Sequence, residues 1–249
     1  MIEIDRLAPT LRPTSRVVMK QSWRHLGFLH WEVAEAELAV RLPAGLKVDT
    51  FEGRAFVGLV PFTMQKVRPV GFPSVHGLSN FHETNVRTYV YDEKGMPGVW
   101  FFSLDAANLA AVAVARAAFA LNYQFASMSL TVEGGPETPR VSYRSKRRRP
   151  SRPGPRCEVE IQAKGEAKAA RPGTLDYFLV ERYLLYTWNR GRLFSGRVHH
   201  SPYPLQAANC ERFDETLIAA NGLKRPDVSP LVHYVSGVDV DIFALKPVI

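Results

Sequence analysis

Residues 81–91 read FHETNVRTYVY. Successive side chains of an extended chain point to opposite faces, so Thr84, Val86, Thr88 and Val90 share one face and Glu83, Asn85, Arg87, Tyr89 and Tyr91 the other. The stretch reads as a strand, and strands surround it. Upstream lie 17–31, 46–51 and 54–63; downstream lie 98–104, 124–133, 140–145 and 157–164, separated by Gly and Pro. An Asn-Arg-Gly turn at 189–191 joins strand 183–189 to strand 192–200, and 232–245 closes the chain as strand. Helices are expected over 32–42, over 106–121 with Asp105 as cap, over 174–182 and in part of 205–220. Many short strands with few helices predict a mainly β (α+β) fold, an antiparallel barrel or cone with two or three helices, in one domain over residues 1–249. There is no βαβ rhythm, no GxGxxG after a strand and no Walker-type loop.

Composition agrees with a globular chain: 249 residues, 46% hydrophobic and 22% charged. The two cysteines, Cys157 and Cys210, are far apart and outside any CxxC spacing, which argues against a disulfide framework or structural zinc and for a cytoplasmic protein. The opening MIEIDRLAPTLRPTSR has no apolar core of signal-peptide length. The apolar stretch 104–121 is broken by Asp105, Asn108 and Arg116, so no membrane partner is expected.

The net charge of +8 comes mostly from one place. RSKRRRPSRPGPR at 144–156 holds seven basic residues and no acid, and without it the chain carries +1. With Pro150, Pro153 and Pro155 in the run, the expectation is a basic, Pro-rich surface loop. A dense basic strip could hold nucleic acid or an acidic partner by counterion release. The run lacks interleaved aromatics and any helix-turn-helix or zinc-finger spacing, which disfavours nucleic acid.

The polar face of 81–91 is either a wet outer surface or the lining of a cavity, and base rates for charged residues favour the surface. The helix AANLAAVAVARAAFAL is apolar nearly all round, so it is expected to be buried, with Asn108, Val112 and Arg116 on one stripe. A buried Arg116 demands either a carboxylate, Glu83 or Asp105, or an anionic ligand. His199 and His200 point to opposite faces of a strand and lack companions, so packing is favoured over metal for them and for the other scattered histidines. Ser195 in FSGRVHH lacks the GxSxG elbow.

QSWRHLGFLHWEV, LKVDTFEGRAFVGLVPFTM, NVRTYV, PGVWFFSLDA, FLVERYLLY, GRVHHSPYPLQ and HYVSGVDV, in that order, resemble the YqjF-like family of uncharacterised bacterial proteins, of the acetoacetate-decarboxylase-like superfamily. The likeness runs from about Gln21 to Asp241. It implies a β-rich cone enclosing a pocket. Decarboxylases of the superfamily form a Schiff base through a lysine whose pKa is depressed. Their motif is an Arg-Glu pair followed by Gly-x-Pro-Lys-Lys, and ARAAFALNYQF stands in its place here. Arg116 matches the arginine, Ala117 replaces the glutamate, Asn122 the proline, and Tyr123 and Gln124 the lysine pair. Glu83 matches a glutamate lining the decarboxylase pocket. A phenol or carboxamide cannot form an imine, so Schiff-base decarboxylation is not expected.

The expected function is binding of a small organic acid or related anion inside the barrel, without cofactor or metal. Arg87, Arg116, Asn85 and Tyr89 are the candidate ligand-binding residues, with Glu83 and Tyr123 as candidate catalytic residues. A non-imine lyase, hydratase or isomerase using Glu83 as base and Tyr123 as proton donor is the alternative. Binding of nucleic acid or an acidic partner through 144–156 is a second alternative. A homo-oligomer is left open.

Overall fold

β-Branched and aromatic residues at alternating positions build long strands that join one continuous, twice-closed sheet. The computed structural model describes residues 4–148 and 154–248, and over 114–118 the backbone alone. The elements are β1 (Val17–Val33), α1 (Glu35–Ala39), β2 (Leu46–Val48), β3 (Ala55–Pro69), β4 (Phe81–Asp92), β5 (Pro97–Ala106), α2 (Leu109–Phe119), β6 (Tyr123–Glu133), β7 (Arg140–Arg147), β8 (Arg156–Lys168), α3 (Leu175–Val180), β9 (Leu184–Asn189), β10 (Arg192–His199), β11 (Leu205–Glu215), α4 (Leu217–Ala220), β12 (Leu231–Phe243) and β13 (Lys246–Pro247).

The strand order is β13-β10-β9-β5-β6-β7-β8-β11-β12-β1-β3-β4-β2, and β10 also pairs with β12 and β5 with β4. The extra pairings close two rings that share a wall of β12, β1, β3, β4 and β5. Through β9 and β10 the wall closes the first ring; through β6, β7, β8 and β11 it closes the second. Both branch strands divide one edge between two partners. β5 gives Val99 and Trp100 to β9 and Leu104–Ala106 to β6, both in parallel. β12 gives 233–235 to β11 and 241–242 to β10, antiparallel. Glycine is required at one of these joints: a Cβ on Gly98 would lie 2.8 Å from the Leu184 carbonyl oxygen, closer than real contacts allow.

The second ring is filled by side chains, among them Leu29, Trp31, Leu59, Val86, Val141 and Ile161, with Leu38 of α1 and Leu217 and Ile218 of α4 packed against them. The first ring encloses a separate cluster that includes Phe28, Phe62, Leu104 and Val235. β4 therefore has no wet face along its centre. Val86 faces the second interior, while Glu83, Asn85, Arg87 and Tyr89 are buried on the other face. The outer-surface expectation for the polar row is overturned, because rings close on both sides of β4.

Three expectations shift. Residues 205–215 are strand, not helix, because they bridge β8 and β12 and so close the second ring; helix remains only at 217–220. Helix α2 begins at Leu109, capped by Asn108, whose side-chain oxygen accepts from Ala111 N–H at 3.0 Å. The basic run is not one loop: Arg144–Arg147 end β7 and Arg156 opens β8, with Arg144 opposite Glu158. Residues 149–153, including Pro150 and Pro153, lie outside the described residues.

Arg147 goes furthest from the expected loop. Its side chain is 9% exposed, and the guanidinium meets the fully buried Asp105 carboxylate at 2.8 Å and Ser103 Oγ at 2.7 Å. Arg156 pairs with Asp214 at 2.9 Å in a more exposed setting. Removing one partner of a buried pair strands the other charge. Arg147→Ala is expected to cost about 3–5 kcal/mol in urea unfolding, the range for broken buried pairs. The exposed neighbour, Arg148→Ala, is expected to stay within about 0.5 kcal/mol of wild type.

Candidate functional site

The first ring is partly hollow. A cavity of about 190 Å³ lies inside it, bordered by β1, β3, β4, β5, β9, β10, β12 and α2, with Tyr123 from the start of β6. Its lining is mostly hydrocarbon. Glu83, Asn85, Arg87 and Tyr123 form its main polar patch, three of them from one face of β4. On β1 the residues facing the cavity change parity, from Met19, Gln21 and Trp23 to Leu26 and Phe28. The change falls where the β1–β3 register slips between Arg24 and Leu29, at His25 with a left-handed φ of 53°.

Tyr123 is brought to Glu83 by the way β6 is started. Asn122 donates from Nδ2 to the Phe102 carbonyl at 2.7 Å, and its own carbonyl accepts from Leu104 N–H at 3.0 Å. The position that holds proline in the decarboxylase motif thus pins β6 to β5. Tyr123 Oη then donates to Glu83 Oε2 at 2.7 Å. Loss of water around the buried carboxyl pushes Glu83 up to about 8, against the hydrogen bonds from Tyr123 and Asn85, which favour the anion; the Asp105 charge adds to the rise. Tyr123 is also pushed well above its ordinary range by burial and the neighbouring carboxyl. At neutral pH Glu83 therefore carries its proton.

Arg87 stands two residues beyond Asn85 on the same face. Its guanidinium lies 5.3 Å from the Phe28 ring centre, and Nη2 donates to the Leu179 carbonyl at 3.0 Å. Among the described residues no carboxylate pairs with it, and Nη1 makes no hydrogen bond. Tyr89 does not border the cavity but braces Arg87 from beyond it. Its hydroxyl donates to the Leu179 carbonyl at 2.6 Å and so accepts from His30 Nε2, also at 2.6 Å. That proton count puts the imidazole hydrogen on Nε2. Burial and the Arg87 charge hold His30 well below its ordinary pKa, so it stays neutral.

The structure thus brings Glu83, Asn85, Arg87 and Tyr123 together and sets Tyr89 behind Arg87. The Arg116 side chain lies outside the described residues. Neither carboxylate considered for it is idle: Arg147 holds Asp105, and Tyr123 bonds Glu83. His200 is stacked between Tyr183 and Tyr203, each 4.4 Å away, and burial lowers it to about 4; His199 lies on the opposite side against Arg12. Ser195 has no triad around it among the described contacts. All nine lysines are exposed, and none borders the cavity. Among the described residues no cluster of three His, Cys, Asp or Glu is placed to hold a metal. The residues missed from sequence, Trp23, Phe28, His30 and Tyr203, sit in ordinary apolar stretches whose facing depends on ring closure. The phase change falls on a histidine, a type enriched at positive φ, but residue type alone does not single out position 25.

The proton on Glu83 has a stability signature. The folded carboxyl titrates near 8 and the free one at 4.5, so the stabilisation is complete below the free value and is lost as pH rises through 8. Glu83→Gln is expected to match wild type in urea unfolding at pH 5. At pH 9 it should exceed wild type by more than about 1 kcal/mol, since each unit of pKa shift is worth about 1.4 kcal/mol.

The family DUF2071, described as an uncharacterized conserved protein, matches residues 20–239. The chain is 35% identical over 229 residues to the uncharacterized protein YqjF of Bacillus subtilis, covering 92% of each. Among solved structures, an acetoacetate decarboxylase-like enzyme from Sphingomonas wittichii superposes with a TM-score of 0.65 at 12% identity, covering 94% of both chains. Acetoacetate decarboxylase of Legionella pneumophila gives 0.62 at 12% identity, over 93% of this chain and 87% of that one. The enduracididine biosynthesis enzyme MppR complexed with pyruvate gives 0.63 at 13%, over 94% and 91%. At such identities the likeness is one of fold: the twice-closed sheet is the acetoacetate-decarboxylase-like architecture.

Proposed function

The chain belongs to the DUF2071 family of uncharacterized conserved proteins, the family of YqjF, and from that premise we propose that it binds a small organic acid in the cavity of its first ring without forming an imine. Arg87 is the anchor of the anion and Glu83 a neutral hydrogen-bond donor beside it. The observation that carries the reading is a guanidinium buried at a hollow with no carboxylate pairing it among the described residues. A buried cation needs a counter-charge, and a carboxylate ligand supplies one through charge-assisted hydrogen bonds. With Glu83 protonated, the polar patch repels no anion. A neighbour of the same fold is described in complex with pyruvate, a small carboxylate of the kind Arg87 would hold.

The exposure of every lysine speaks against covalent electron-sink chemistry, since a Schiff-base lysine must be desolvated beside its substrate. Incubation with acetoacetate and borohydride is expected to leave the protein mass unchanged; a lysine adduct would count against the reading. Arg87→Ala is expected to weaken carboxylate binding by about 10-fold or more in calorimetry, the scale of a hydrogen bond to a charged group. Wild-type affinity should fall as pH rises past about 8, when Glu83 becomes an anion beside the bound one. The Glu83→Gln variant should lose that fall.

The 2.7 Å contact between Tyr123 and Glu83 favours one further reading, a non-imine lyase, hydratase or isomerase in which the pair relays a proton. Deuterium uptake at the α-carbon of a bound keto acid, abolished in both Glu83→Gln and Tyr123→Phe, is the expected sign.

A further inference from the structure

The polar patch accounts for only part of the cavity's lining. Around that patch the walls carry Trp23, Phe28, Phe62, Phe101 and Tyr203 with aliphatic residues between them, Phe62 being the cross-strand partner of Glu83 and Phe101 that of Arg87. Trp23 and Phe62 meet edge to face at 5.8 Å, as do Phe28 and Tyr203 at 5.6 Å. Arg197 also borders the cavity; its Nη2 donates to the Pro9 and Leu11 carbonyls at 2.8 and 2.9 Å, which ties it to the strap of chain before β1, and its buried Nε has no hydrogen-bond partner among the described residues.

We infer that the cavity takes monocarboxylates carrying a hydrocarbon body of about one aromatic ring, the arylalkanoates, in preference to small polar acids. The inference rests on the reading of Arg87 as carboxylate anchor. Size supports it: the cavity measures about 190 Å³, and an apolar protein cavity of about 150 Å³ stays dry and accepts benzene. Shape supports it as well. The Arg87 guanidinium lies over the Phe28 ring at 5.3 Å, so a carboxylate on Arg87 is held at the edge of the aromatic wall, with its substituent directed along hydrocarbon. Charge agrees, because among the described residues the polar patch on β4 holds one guanidinium, that of Arg87, beside a neutral Glu83. A small keto acid would satisfy the pole and leave the aromatic walls facing empty space. A ring in that space gains dispersion contacts and edge-to-face partners.

The test is calorimetric titration of the full chain at pH 7 with 3-phenylpropanoate, phenylacetate, pyruvate and 3-phenylpropan-1-ol. Burying one ring predicts that 3-phenylpropanoate binds about 10- to 100-fold tighter than pyruvate. The alcohol is expected at least 10-fold weaker than its acid. Pyruvate binding as tightly as 3-phenylpropanoate would overturn the inference while leaving Arg87 as anchor. Equal affinity for acid and alcohol would remove Arg87 as anchor and leave the hydrocarbon preference standing alone. Failure of all four to bind removes both. Val60, opposite Asn85 on the neighbouring strand and bordering the cavity, gives a second measurement. A folded Val60→Phe variant is expected to lose 3-phenylpropanoate and keep pyruvate, and retention of 3-phenylpropanoate would overturn the inference. Should that variant not fold, the wild-type series decides alone.

Discussion

The burial of an ionisable row on one strand governs the rest of the molecule. Glu83, Asn85 and Arg87 occupy alternate positions of β4, each less than a tenth exposed. A carboxyl and a guanidinium so placed cannot both be charged and unpaired at no cost. Desolvation keeps the proton on Glu83, with Tyr123 fixing its orientation. Arg87 has no such escape and is held by the Leu179 carbonyl, the Phe28 ring and, through Tyr89, by His30. The rings around β4 therefore enclose a polar row in which, among the described residues, no carboxylate pairs with Arg87.

Architecture makes that burial feasible. A strand lined by charges on one face normally turns it to water. Here both faces of β4 are enclosed, because β5 and β12 each divide an edge between two partners and the sheet closes twice. One ring is filled by side chains; the other keeps a hollow beside its own core cluster. The ion pair between Arg147 and Asp105 lies on the wall that bears the site, since Asp105 sits opposite Thr84 of β4.

Much of this was legible in the residues. Alternation from 81 to 91 marks the strand and its two unlike faces, and the mismatch of Tyr123 and Gln124 with a lysine pair agrees with a cavity that no lysine borders. Whether the polar face was wet or enclosed could not be read, because enclosure depends on pairings between strands more than a hundred residues apart, such as β12 with β1. The same long-range pairing turned 205–215 into strand against its helical look. Arg147 was hidden inside a basic run whose composition argued for solvent, and only the register of β7 carries it to Asp105. The inward turn of Trp23 and then of Phe28 depends on a single left-handed residue, His25, and the enrichment of histidine at positive φ does not single out that one among seven histidines.

A strand that serves two interiors at once is subject to two separate selections. Along β4 positions 83, 85 and 87 border the hollow, and Val86 between them faces a packed hydrocarbon mass that has no reason to change. Lineages that come to handle different compounds should therefore diverge at 83, 85 and 87 while 84, 86 and 88 drift only among residues of similar volume. The historical record of this protein's changing chemistry would then be written at every second letter of one short stretch of chain.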